Sequence, residues 1–117
     1  MRTTVVGTKF RGAKAIATLA KLAPGDSLIL RREPDNEFDG NAVAVYCGAV
    51  HLGYVPRDHN PELARALDAE PHCLSAMLSV EAIVERGVVV FPPKVIIIAT
   101  KGASDVGWPA NRYNDNQ

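Results

Sequence analysis

The chain has 117 residues, the size of one compact domain, and its 47% hydrophobic content can build a core without help from metal or disulfides. Thirteen Lys and Arg balance thirteen Asp and Glu; this excludes a basic footprint spread along duplex DNA but leaves room for a small basic pocket. Cys47 and Cys73 lack C-x-x-C spacing and read as reduced core thiols. With no secretory pattern at the N-terminus and no apolar run of membrane-spanning length, the expectation is a soluble cytoplasmic protein that engages no membrane.

Thr3 to Thr8 is β-branched and suits a first strand. Ala13, Ile16, Ala17 and Ala20 then recur at helical spacing, and Pro24-Gly25-Asp26 stops that short helix with a turn. Ser27 to Glu33 returns to strand character, and a polar loop from Asp35 to Asn41 follows, with the turn dipeptide Asp39-Gly40. Ala42 to Tyr46 and Val50 to Val55 read as a hairpin around Cys47-Gly48-Ala49. Asn60 suits a helix cap with Pro61 at the first helical position, and Leu63, Ala64 and Leu67 would face the core. From Cys73 a clean alternation puts Leu74, Ala76, Leu78, Val80, Ala82 and Val84 on one face, with Ser75, Ser79, Glu81 and Glu85 opposite, as in a half-buried strand. After Pro92-Pro93, Val95 to Ala99 reads as an apolar strand with Lys94 at its start. Residues 102–117 lack periodicity and read as a flexible tail that Trp108 and Tyr113 could dock locally. With about six strands and two short helices, the expected fold is mainly β, a small antiparallel barrel of OB-like or SH3-like type over residues 1–101.

The densest signal runs from Leu30 to Val45, and contains Arg32-Glu33-Pro34-Asp35-Asn36-Glu37-Phe38-Asp39-Gly40-Asn41-Ala42-Val43-Ala44-Val45. Gly53-Tyr54-Val55-Pro56-Arg57 follows at short range, and Val5-Val6-Gly7-Thr8-Lys9-Phe10 opens the chain. In these ordered segments the sequence resembles the HIRAN family, and the resemblance extends over roughly residues 3 to 100. It implies an OB-like fold and a module that grips the 3′ end of single-stranded DNA at its free hydroxyl, in a repair or replication context. By that resemblance Lys9 and Phe10 match a basic and aromatic pair on the terminal nucleotides. Phe38 and Asp39 match the pair beside the terminal sugar, and Tyr54 and Arg57 match groups that hold the backbone. Phe10 is followed by Arg11 where family members often carry a second tyrosine, and Phe38 lacks a tyrosine hydroxyl; stacking needs only a π face. The helicase motor that accompanies the module in larger relatives is absent, so remodelling DNA would need a helicase or nuclease partner.

The residue chemistry is compatible with this reading. An ionised Asp39 can accept a bond from a terminal hydroxyl, Lys9, Arg11 and Arg57 can donate to phosphates, and Phe10 and Tyr54 can stack on unpaired bases. Each has a structural alternative: Asp39 closing an Asx turn, Phe38 filling the core, Tyr54 pairing across the sheet, Lys9 or Arg11 as edge-strand charges. Asn41 reads as pinning the loop. Arg31 and Arg32 point to opposite strand faces, so at most one joins a pocket, and both read as solvated or partner-facing. No catalytic residue, metal or cofactor is expected. Asp35, Glu37 and Asp39 echo a calcium loop, but its twelfth position is Tyr46, and His51, His59 and His72 lack zinc spacing with the cysteines. The rival functions are a protein-interaction adaptor on the same barrel and a Mg²⁺-dependent nuclease using Asp39 and Glu37.

Overall fold

The computed structural model describes residues 1–80, 83–90 and 95–100. The expectations for Glu81, Ala82, Pro92, Pro93, Lys94 and the tail 102–117, with Trp108 and Tyr113, lie outside the described residues, as do those for the side chains of Val84 and Glu85.

The expected first strand is cut short. β1 covers only Arg2–Thr4, and Thr8–Phe10 winds into a 3₁₀ turn. Gly7 explains the break, because its φ of 78° is left-handed and incompatible with an extended strand. Helix α1 (Ala13–Lys21) follows, but it is rotated relative to the expected face: Ala15 and Leu19 are buried, whereas Ile16 is 50% exposed and Ala13, Ala17 and Ala20 face outward. Three alanines offer little apolar area, so the helix turns to bury Leu19, a side chain worth about 1.5–3 kcal/mol when removed from water. Leu22, just past the helix, packs on the same core.

β3 (Val43–Cys47) and β4 (Val50–Tyr54) form the expected hairpin, β2 (Ser27–Arg32) pairs with β3 to extend it into a meander, and α2 (Asn60–Ala69) buries Leu63, Ala64 and Leu67 as expected. β5 (Leu74–Leu78) and β8 (Val95–Thr100) complete a six-stranded sheet in the order β1-β8-β5-β2-β3-β4, with every pair antiparallel. β6 (Ile83–Glu85) and β7 (Val88–Val90) make a separate two-stranded ribbon, so the long alternating strand expected from Cys73 onward ends at Leu78. Nor is β5 half-buried. Ala76 and Leu78 point into the core, while Met77 on the other face is covered beside its register partner Ile97. What decides burial is whether a second layer covers the outer face, and here Met77 and Ile97 are 4% and 6% exposed, so that face is covered at this point of the sheet.

The sheet curls until its ends meet. Just past β1, Val6 exchanges both backbone hydrogen bonds with Tyr54 of β4, each 2.9 Å long, and this one bridge joins the two edge strands into a barrel. The closure depends on Gly53, whose φ is 153°; a Cβ there would overlap the Val6 carbonyl oxygen. Inside lie Val43, Val45, Leu52, Leu78 and Ile96, all essentially inaccessible. No helix among the described residues is long and apolar enough to cross a membrane.

Candidate functional site

The barrel closure sets Tyr54 beside the loop between β2 and β3, and Asn36 gives that loop its shape. Asn36 Oδ1 accepts the backbone N–H groups of Phe38 (2.9 Å) and Asp39 (3.1 Å), and its Nδ2 donates to Glu33 Oε1 at 3.1 Å. The pinning assigned to Asn41 therefore belongs to Asn36; Asn41 contributes only its backbone N–H, donated to Asp39 Oδ1 at 2.9 Å. That last bond is the Asx turn anticipated for Asp39. The loop turns Phe38 outward, 77% exposed, so it is not a core ring.

Asp39 is held from several sides as well. Besides Asn41, its Oδ2 accepts from Asn60 Nδ2 at 2.8 Å and lies 3.6 Å from Arg57 Nε. The Asn60 bond, then the Asn41 bond, with the charges of Arg57 and Arg32 behind them, hold the carboxyl below the ordinary aspartate range against the opposing effect of burial. It is therefore an anion at neutral pH. A carboxylate offers about four lone-pair sites, so acceptor capacity remains toward the cleft. Asn60 is the residue that local sequence rules misread: His59 occupies the capping position of α2, and Asn60, buried to 3% exposure, spends its side chain on Asp39.

Beside Asp39 opens a cleft of about 310 Å³, lined by the expected Arg11, Phe38, Tyr54 and Arg57 and also by Asn36 and Asn60. Its volume is at the small end for ligand sites. Arg57 donates from Nη2 to the Phe38 carbonyl at 2.8 Å, yet 71% of its side chain is exposed, leaving donors for a ligand. Tyr54 donates its hydroxyl to Glu33 Oε1 at 2.8 Å; burial first, and that bond second, push its pKa up and keep it a phenol. Lys9 and Phe10 do not line the cleft. They sit on the 3₁₀ turn that precedes Arg11, with Lys9 Nζ 5.1 Å from the centre of a Phe10 ring that is 72% exposed.

Arg32 departs from the solvated role expected of it. Its Nε and Nη2 pair with Asp68 at 2.9 and 3.2 Å and its Nη1 donates to the Ala42 carbonyl at 3.0 Å, tying α2 to the sheet. Arg31 points the other way, outward over Tyr46. Among the described residues, no group of three His, Cys, Asp or Glu side chains is arranged to hold a metal.

The fold is a small curled β-barrel whose edges meet at the Val6–Tyr54 bridge, with a cleft of mixed apolar and polar lining beside it. The HIRAN domain model matches residues 1–94, and the chain belongs to that family. Among solved structures, it is similar to a protein from Lactobacillus plantarum, with 25% identity and a TM-score of 0.60 over 83% of this chain and 90% of that one. It also shares its fold with the HIRAN domain of human HLTF, with 17% identity and a TM-score of 0.60 over 86% of this chain and 72% of that one. No curated protein sequence matches the chain.

Proposed function

We propose that this protein binds single-stranded DNA and holds the free 3′ end of the strand in the Asp39 cleft, without enzymatic activity of its own. The observation that carries this reading is the state of Asp39, an ionised carboxylate fixed from two sides inside a small cleft. Membership of the HIRAN family supports DNA as the ligand class. A terminal 3′-hydroxyl would donate to Asp39, while the adjoining phosphate would meet Arg57 and Arg11, and an unstacked base would rest on the exposed Phe38 ring. Lys9 and Phe10 stand on the turn next to the cleft, where they meet the neighbouring nucleotide rather than the terminal one. Such a module would act in DNA repair or replication, inside the cell, and deliver strand ends to a helicase or nuclease partner.

Fluorescence anisotropy with a labelled oligonucleotide tests this. A linear single strand should displace the probe, while a circular single strand and a blunt duplex should compete poorly. Equal competition by the circle would leave a general single-strand binder, and the absence of all DNA binding would leave the adaptor alternative. Forked DNA incubated with the protein and Mg²⁺ should remain intact; cleavage lost on Asp39→Ala would overturn the non-enzymatic part of the proposal.

A further inference from the structure

The outer face of β2, β3 and β4 carries a row of rings of which only the last, Tyr54, lines the cleft. Antiparallel register brings Tyr46 of β3 opposite His51 of β4, and the two rings stack at 4.7 Å between centroids and 10° between planes. His51 then meets Tyr54 edge-on at 4.9 Å, so the row runs into the cleft wall. Each end bears a guanidinium. Arg31 of β2 lies 4.4 Å from the centre of Tyr46, and Arg11 lies 5.8 Å from the centre of Tyr54 and contacts His51 Nδ1 at 3.5 Å. Burial lowers the pKa of His51, so the middle of the row is neutral at pH 7 and the positive charge is confined to its ends.

From this arrangement we infer that the Arg31–Tyr46–His51–Tyr54 row is a second nucleic-acid subsite, which carries the nucleotides upstream of the terminal one and ends with Arg31 on a backbone phosphate. The inference rests on the proposed single-strand binding. Two observations choose this occupant. The row is continuous with the cleft through Tyr54 and Arg11, so a strand whose 3′ end lies at Asp39 can leave along it. The cations on the row complement a polyanion, and among the described residues Arg31 forms no ion pair that would neutralise it. Its neighbour Arg32 is consumed by Asp68 and the Ala42 carbonyl, so strand alternation gives the sheet one structural arginine and one presented outward. A guanidinium 4.4 Å from a ring centre is held in place by cation–π attraction, and because Arg31 is exposed its N–H groups stay available to phosphate oxygens.

The test compares a dinucleotide with a ten-nucleotide single strand, both with free 3′-hydroxyls, on the full chain and on Arg31→Gln. Arg31 is exposed, so the variant should fold normally. The ten-nucleotide strand should bind the variant about three- to tenfold more weakly, with a salt dependence shallower by about 0.7 in log–log slope, the contribution of one phosphate on a single strand. The dinucleotide, too short to reach Arg31, should bind both proteins equally. Unchanged affinity for the longer strand, or an equal loss for both lengths, would overturn the subsite. If the unmodified protein binds neither oligonucleotide, the single-strand proposal itself falls, an outcome distinct from either of these.

Discussion

Asn60 donates a 2.8 Å hydrogen bond to Asp39 across 21 residues of chain, and in doing so locks the first turn of α2 to the loop that leads into β3. The bond has two consequences. It orients the carboxylate toward the cleft, and it is the largest single cause of that carboxylate's depressed pKa. Removing Asn60 should therefore disturb stability and charge together.

Asn60→Ala should lower stability at neutral pH by about 1.5–3 kcal/mol, the usual value of a hydrogen bond to a charged group. Because the folded-state pKa of Asp39 lies below its unfolded value, the stability linked to its ionisation is fully present above the unfolded pKa. It is lost as pH falls through the folded pKa. The gap between the parent protein and Asn60→Ala should accordingly be widest above about pH 5, begin to narrow as pH falls past the ordinary aspartate value of about 3.9, and close only below the lower folded pKa, where Asp39 takes up a proton. Urea unfolding across this range checks the trend, and carboxyl-carbon NMR should show the Asp39 pKa moving up toward the ordinary value in the variant. A stability gap independent of pH would mean that Asn60 acts only by packing.

Legibility from sequence followed the range of the interactions. The β3–β4 hairpin, the core positions of α2 and the Asx turn at Asp39 were readable because each depends on neighbours a few residues away. The face of α1 was misread because its alanines match the helical period without the apolar area to enforce it, and Leu19 decides the orientation instead. Asn60 looked like a cap because capping rules are local, whereas its partner arrives only when the barrel closes. The same holds for the ring row, where Arg31, Tyr46 and His51 come from three strands and meet only through register.

Gly53→Ala should test the closure. Ordinary side chains rarely adopt the φ of 153° found there, and the added Cβ would press on the Val6 carbonyl, which accepts the Tyr54 N–H. The backbone conformation alone should cost about 1–3 kcal/mol, and the overlap should weaken the bridge further. Hydrogen exchange provides the local readout: the amides of Val6 and Tyr54 should lose protection before those of β5 and β8. Equal loss of protection throughout would make the closure part of one cooperative unit rather than a separable bridge.

Phe10 and Phe38 are the large exposed rings of the site region, at 72% and 77% accessibility. Replacing either by alanine should change stability by no more than about 0.5 kcal/mol, as expected for surface positions. Binding of a single strand should weaken by about 1–3 kcal/mol per ring removed if each stacks on a base. Phe38 lines the cleft and Phe10 does not, so Phe38→Ala should weaken a dinucleotide more than Phe10→Ala does. Thermal unfolding beside anisotropy separates the two quantities, and loss of folding with unchanged affinity per folded molecule would return the rings to a structural role.

The chemistry of Asp39 gives the sharpest test of 3′-end recognition. An ionised carboxylate accepts a hydrogen bond from a hydroxyl but repels a phosphate in the same place, so a strand ending in a 3′-phosphate should bind more weakly than one ending in a 3′-hydroxyl. Losing one charge-assisted hydrogen bond corresponds to about 1.5–3 kcal/mol, roughly ten- to hundredfold in affinity. A phosphate at the 5′ end should change little. Asp39→Asn keeps the size of the side chain and an acceptor oxygen but removes the charge, so the penalty on the 3′-phosphate should shrink while binding of the 3′-hydroxyl strand falls. Because Asp39 also holds Asn41 and Asn60, circular dichroism must show the variant folded before its affinities are compared. Equal binding of both 3′ ends by the unmodified protein, or full discrimination retained in folded Asp39→Asn, would remove Asp39 from the recognition of the strand end and leave it as the residue that joins the loop to α2.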